Sequence, residues 1–173
     1  MTPWPDLRTI LQNIPWVIVG GVATRAYMPE RATKDMHILV KAADGDRALA
    51  RLKAAGYLSL ATLGIPGYAL QSPAGIEIDL LLGDDAWLEE ALADAGRDAA
   101  GYPVLALPYL VLTNLTSMRS QDWADVSRMV GLAEEAELDR VRAVVRRYSP
   151  QDLEDLEALI ILGQRELQTP GAA

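Results

Sequence analysis

The segment from Trp16 to Val40, WVIVGGVATRAYMPERATKDMHILV, constrains the fold of this chain more than any other stretch. Its apolar run Trp16-Val17-Ile18-Val19 reads as a short buried strand. Gly20-Gly21 follows, and glycines let the backbone turn tightly and bring bare N–H groups close to a phosphate. Val22 to Met28 suits a short helix whose N-terminal amides would face the same anion. After Arg31, Thr33 and Asp35 comes a second apolar run, Ile38-Leu39-Val40. In a strand beginning near Asp35, positions 35 and 37 point to one face, and Met36 and Ile38 to the other. An enzyme that handles a nucleoside triphosphate needs two carboxylates at such same-face positions to hold Mg²⁺. Asp35 fills one of them. The other is His37, the one histidine of the chain.

A third acid emerges further on. Ile76-Glu77-Ile78-Asp79-Leu80-Leu81 reads as a strand in which Glu77 and Asp79 share one face and Ile76, Ile78 and Leu80 share the other. A carboxylate inside an apolar strand is costly unless it is paired or bound to metal. Asp79 is therefore a candidate site residue on physical grounds, with Glu77 a weaker one near the strand's start.

Diglycine, about a dozen residues, then Arg-x-Thr-x-Asp resembles the nucleotidyltransferase fold of the DNA polymerase β superfamily. Within it, the chain looks most like the AbiEii-type abortive-infection and toxin–antitoxin nucleotidyltransferases. Their signature is a diglycine at a strand–helix turn, an Asp-x-Asp pair on the next strand, and a third Asp on a neighbouring strand. Gly20, Gly21, Asp35 and Asp79 fit those places, whereas His37 stands where the second acid belongs. The same family carries a lysine, an arginine and Asp-x-x-Asp on a later helix. Arg119, Asp122 and Asp125 match in order and spacing, and Asn114 falls at the lysine position.

The resemblance implies a metal-dependent transfer of a nucleoside monophosphate from an NTP to a tRNA end or a protein hydroxyl. A toxin–antitoxin or phage-defence role, with an antitoxin or target protein as partner, goes with it. Gly20 and Gly21 would cradle the triphosphate, and Asp35, His37 and Asp79 would be the metal positions, for Mg²⁺ or, given the imidazole, Mn²⁺. Asp35 and Asp79 would be the catalytic carboxylates, with Asp79 helping to deprotonate the attacking hydroxyl. Arg31, Thr33, Arg119 and Asp122 would complete the nucleotide contacts. The alternative is a degenerate member that binds a nucleotide or a partner protein without chemistry, because His37 removes a carboxylate and Asn114 removes a cation.

Composition narrows the class. With 173 residues, half of them apolar, the chain suits one α/β (α+β) domain with a helical appendage. The expected architecture is a small mixed sheet flanked by helices over residues 1–107, then a C-terminal helical bundle over 108–173. The absence of cysteine excludes disulfides and thiolate metal sites. No apolar run reaches the length of a membrane span and no signal-peptide pattern opens the chain, so the expectation is a cytoplasmic protein without a membrane partner. A formal charge of −8 argues against a dedicated nucleic-acid binder, and DNA is not expected. The one local basic cluster is Arg140, Arg142, Arg146 and Arg147, which could hold RNA but reads more readily as a solvated helix face complementing its own dipole.

The remaining elements follow from period and punctuation. Helices are expected over Thr2–Asn13, Asp44–Gly56, Asp84–Ala93, Tyr109–Met118, Ser120–Val130 and Glu135–Tyr148. A last helix is expected to open at Ser149-Pro150, with Ser149 as its cap. Strands are expected at Tyr57–Leu63, Tyr68–Gln71, Ile76–Leu82 and Pro103–Leu107, with Ser72-Pro73-Ala74-Gly75 joining two of them as a hairpin.

Overall fold

Trp16–Val19 forms strand β1 with all four residues buried, as an apolar run bounded by Pro15 and Gly20 demands. In the computed structural model, which describes residues 4–28, 33, 35–117 and 119–168, the chain divides into two compact units. One comprises residues 1–26 and 30–105, the other residues 27–29 and 106–173.

The first unit continues from β1 through a one-turn helix α1 (Gly20–Thr24) to β2 (Met36–Lys41), α2 (Gly45–Ala54), β3 (Leu58–Thr62), β4 (Gly67–Gln71) and β5 (Glu77–Gly83). Helix α3 (Leu88–Ala93) and the two-residue strands β6 (Gly96–Arg97) and β7 (Pro103–Val104) complete it. The strands make one seven-stranded mixed sheet in the order β3-β4-β5-β2-β1-β7-β6. β1 pairs antiparallel with β2, and β2 pairs parallel with β5. A parallel pair needs a crossover, and α2 with the β3–β4 hairpin supplies it.

The two faces of the central strands differ. Met36, Ile38 and Val40 of β2 and Ile78 and Leu80 of β5 are completely buried. Each such side chain contributes roughly 1.5–3 kcal/mol relative to exposure. Ala48 and Leu52 of α2 are equally buried. Gly45 opens α2 so close to Leu82 that a Cβ there would lie 2.8 Å from a leucine methyl. The other face carries His37 and Asp79, both half-buried.

The opening segment is not a helix. Residues 8–13 form turns with a single helical bond, Leu11 N–H to Leu7 C=O. Pro5 has no N–H to offer, and Asp6 captures both the backbone N–H and the Nε of Arg8, diverting the first turn into a local side-chain loop. Asn13, with φ of +63°, ends it. The apolar stripe is nonetheless used: Leu7, Leu11 and Ile14 are buried.

The second unit is helical: α4 (Leu107–Thr116), α5 (Ser120–Leu132), α6 (Glu135–Tyr148), a short 3₁₀ turn (Pro150–Asp152) and α7 (Leu153–Gln168). Pro108 and Pro150 occupy first-turn positions, where a missing N–H is harmless. The Ser149 hydroxyl bonds the Asp152 carboxylate rather than a backbone amide, so the 3₁₀ turn precedes α7. Val126, Val130, Leu156 and Ile160 are buried as their spacing requires. Trp123 is half-buried, with Nε1 donating to the Leu115 carbonyl at 3.4 Å. Its outer side lines an open cavity of about 360 Å³ with Ala124, Ser127, Leu159 and Leu162.

α5 and α7 cross at Gly131 and Gly163, where a Cβ on Gly163 would meet the Ser127 carbonyl oxygen at 2.0 Å. The Ser127 hydroxyl donates to the Leu159 carbonyl across the same crossing, at 3.2 Å. Helix propensity alone favours alanine over glycine by about 1 kcal/mol. The contact reverses the sign: Gly163→Ala should destabilise the protein by about 1–3 kcal/mol in urea unfolding. Gly64→Ala, which meets nothing within 4 Å, should leave the midpoint near wild type.

Candidate active site

The parallel register of β2 on β5 sets His37 level with Asp79. Parallel neighbours at one level share a face, so the two side chains stand together on the half-open side of the sheet. Asp35 lies just before β2 and turns toward the same place. His37 Nε2 is 2.9 Å from an Asp35 carboxylate oxygen and 3.3 Å from an Asp79 carboxylate oxygen. One potential ligand atom from each of the three residues lies within 4.8 Å of the others. Glu77 is exposed and stands outside the cluster.

β1 and the turn after it bound the site. Val19 is the register partner of His37, so the next residue, Gly20, meets the imidazole. Gly20 has φ of +62°, and a Cβ on it would sit 3.1 Å from His37 Nδ1. A Cβ on Gly21 would sit 3.0 Å from the Thr33 side chain. The diglycine is thus required by the close approach of His37 and Thr33. α1 is only five residues long and ends at Thr24, so its dipole adds little at this turn.

Thr33 donates its hydroxyl to the Asp35 carboxylate at 3.1 Å. Partial burial of Asp35 pushes its pKa up, but the hydrogen bond from His37, the charge of that ring and the Thr33 hydroxyl outweigh burial. They hold the carboxyl below its ordinary value. Among the described residues, the hydrogen bond of the His37 ring is the one between Nε2 and the Asp35 carboxylate.

The donor set suits a divalent cation. Ligands about 2.0–2.1 Å from an octahedral ion lie roughly 3 Å apart along an edge. The two contacts of Nε2, 2.9 and 3.3 Å, match that edge. Two carboxylates and one imidazole favour Mn²⁺ or Zn²⁺ over Mg²⁺, which prefers oxygen alone.

Of the residues singled out in the sequence, Gly20, Gly21, Thr33, Asp35, His37 and Asp79 come together, and Arg31 lies outside the described residues. Arg119 and Asp122 belong to the second unit. There the buried Asp122 accepts bonds from Arg119 Nε at 2.7 Å and from the Ser117 hydroxyl, joining the end of α4 to the first turn of α5. The Arg119 side chain is otherwise 75% exposed. Asn114 is buried in α4, and Asp125 is buried in α5, bonded by Gln121. Sequence reasoning missed Ser117, whose place between Asn114 and Arg119 was the available signal.

Three of the four α6 arginines are engaged within their own unit. Arg140 pairs with Glu137, and Arg142 pairs with Glu135, Asp139 and Glu157. The hydrogen bond to Glu157, then that to Glu135, holds the Arg142 guanidinium firmly protonated. Arg147 lies over the Tyr148 ring.

No protein-family model matches the chain, and comparison with curated protein sequences finds no match. Solved structures do match. The solution structure of the antibiotic-resistance factor ANT(2″)-Ia aligns with a TM-score of 0.52 at 15% identity, over 94% of this chain and 91% of that one. The crystal structure of ANT(2″)-Ia in complex with adenylyl-2″-tobramycin aligns with a TM-score of 0.51 at 15% identity, over 93% and 94%. A protein of H. pylori assigned as a nucleotidyltransferase aligns with a TM-score of 0.50 at 15% identity, over 91% and 77%. The chain has the nucleotidyltransferase fold.

The Asp35 linkage has a definite sign. A carboxyl whose folded pKa lies below its ordinary 3.8 contributes stability in full above that value, and loses it as pH falls through the folded pKa. His37→Ala should therefore raise the Asp35 pKa toward 3.8, read by carboxyl ¹³C shifts in a pH titration. An unchanged Asp35 titration would show that the ring does not hold this carboxylate.

Proposed function

We propose that this chain is a metal-dependent nucleotidyltransferase of the AbiEii-like toxin type, moving a nucleoside monophosphate from an NTP to a hydroxyl of tRNA or of a protein. The observation that carries the reading is the convergence of Asp35, His37 and Asp79 beside the Gly20-Gly21 turn, within this fold. In the transfer, the acceptor oxygen bonds the α-phosphorus as the bond to the β-phosphate oxygen breaks. Pyrophosphate leaves, and Asp79 takes the hydroxyl proton. Asp35, His37 and Asp79 would hold a divalent cation, Mn²⁺ better than Mg²⁺, which when bound would neutralise charge on the phosphates. Thr33 fixes Asp35 through its hydroxyl. Arg31 is the cation assigned to the triphosphate; within the second unit Asp122 holds Arg119 through its Nε, which leaves the outer guanidinium nitrogens able to bind an anion.

A second reading has its own observation. A metal-ligating imidazole almost always donates its other N–H to an acceptor, whereas His37 Nδ1 faces the Gly20 backbone and Nε2 bonds the Asp35 carboxylate directly. In this reading the ring itself replaces the cation, and the chain binds a nucleotide or a partner protein without chemistry.

One assay separates them: labelled NTPs, Mn²⁺ or Mg²⁺, and total tRNA or protein acceptor. Wild type should transfer label with Mn²⁺, and Asp79→Asn should lose on the order of 10²-fold or more. His37→Asp should gain activity with Mg²⁺ by restoring an all-oxygen site. Absence of transfer by wild type and His37→Asp alike would favour the degenerate protein.

A further inference from the structure

The sheet's two edges are managed differently. β6 is two residues long, carries Arg97 and turns directly into a loop held by the Asp98 carboxylate. β3, at the other edge, is five residues long with every residue exposed. Among the described residues it pairs with β4 alone. An open strand edge presents unpaired N–H and C=O groups to any similar strand, and proteins usually blunt it with charge or proline. Here neither is present in the strand. From Ala54 to Ile76 the chain has no Asp, Glu, Lys, Arg or His. Among the described residues of this unit, the exposed large apolar side chains all lie in that stretch: Leu58 at 63%, Leu60 at 52% and Ile65 at 61% exposure. A register irregularity between Ser59 and Ala61 coils the strand but leaves its edge uncharged.

We propose that β3 is a homodimer interface, in which two copies pair their β3 edges antiparallel about a two-fold axis near Leu60 and join two sheets into one. Charge selects a second copy as the occupant. At a formal charge of −8, two copies repel through most surfaces, and the charge-free hairpin is where they approach without like-charge contact. A strand edge is also self-complementary under a two-fold axis. The blunted β6 edge limits the assembly to a closed pair rather than a fibre. The interface excludes recognition by charge, so added salt should strengthen it by screening the remaining repulsion.

Sedimentation equilibrium on the full chain tests this. For so short a strand, the mass should rise from one chain toward two with concentration across the micromolar range, and the rise should shift to lower concentration at higher salt. Leu60→Lys should hold the protein at one chain mass with an unchanged circular dichroism spectrum, and Leu132→Lys, on the helical unit, should not. If Leu60→Lys fails to fold, Thr62→Lys reads the same edge. In a chain without cysteine, Leu60→Cys should crosslink to a dimer with a short bis-maleimide, and Ile161→Cys should not. A wild type that stays monomeric at the highest concentration, a dimer that survives both lysine variants, or assemblies beyond two would each overturn the proposal.

Discussion

His37 Nε2 lies 2.9 Å from one carboxylate and 3.3 Å from another on the adjoining strand, and the arrangement around it depends on that ring. Carboxylates held this close disfavour each other's charge, and a hydrogen-bond donor or a cation shared between them relieves the repulsion. Three features place the ring there. The parallel β2–β5 register brings His37 level with Asp79. Gly20 has no Cβ to push the imidazole away, and the Thr33 hydroxyl anchors Asp35 on the other side. An alanine at position 20 would meet the ring and would also strain a left-handed backbone. The same geometry serves two ends, since a cation's ligands and a hydrogen-bonded imidazole share nearly the same spacing. That is why His37 decides between the two functional readings.

The central strands were legible because an uninterrupted apolar run has few other solutions. Asp79 was legible because a carboxylate among Ile78, Leu80 and Leu81 demands a partner. The purpose of the diglycine was only partly so. Its sequence suggests a phosphate turn, whereas its tightness answers to His37 and Thr33, contacts between distant residues that local pattern cannot reveal. The opening segment shows the opposite failure. Leu7 and Leu11 have helical spacing and are buried, but Asp6 draws the Arg8 amide into a side-chain bond and the helix never propagates. β6 is two residues long and exists only because β7 lies beside it, so no periodicity could announce it.

The acidic charge is distributed by local pairing. Arg142 meets three carboxylates in its own unit, Arg8 is held by Asp6 and Lys41 by Glu89. Such exposed pairs contribute little stability individually, and at a formal net charge of −8 the chain as a whole does not attract a polyanion. In the proposed function, nucleotide affinity rests on the cation at the three-residue cluster. The charge-free β3–β4 hairpin is the counterpart of this economy: a surface that recognises by backbone and apolar contact alone.

The most direct test follows the ¹H signals of the single imidazole, His37, as Mn²⁺ is added to the protein. The paramagnetic ion broadens nuclei within a few ångströms of its site. If Asp35, His37 and Asp79 hold one cation, the His37 ring signals and the Asp35 and Asp79 carboxyl ¹³C signals broaden together at substoichiometric Mn²⁺, and Asp79→Asn weakens the effect on the others. Ring signals that stay sharp while Mn²⁺ binds elsewhere, or that do not respond at all, would contradict the assignment of Asp35, His37 and Asp79 to one cation site.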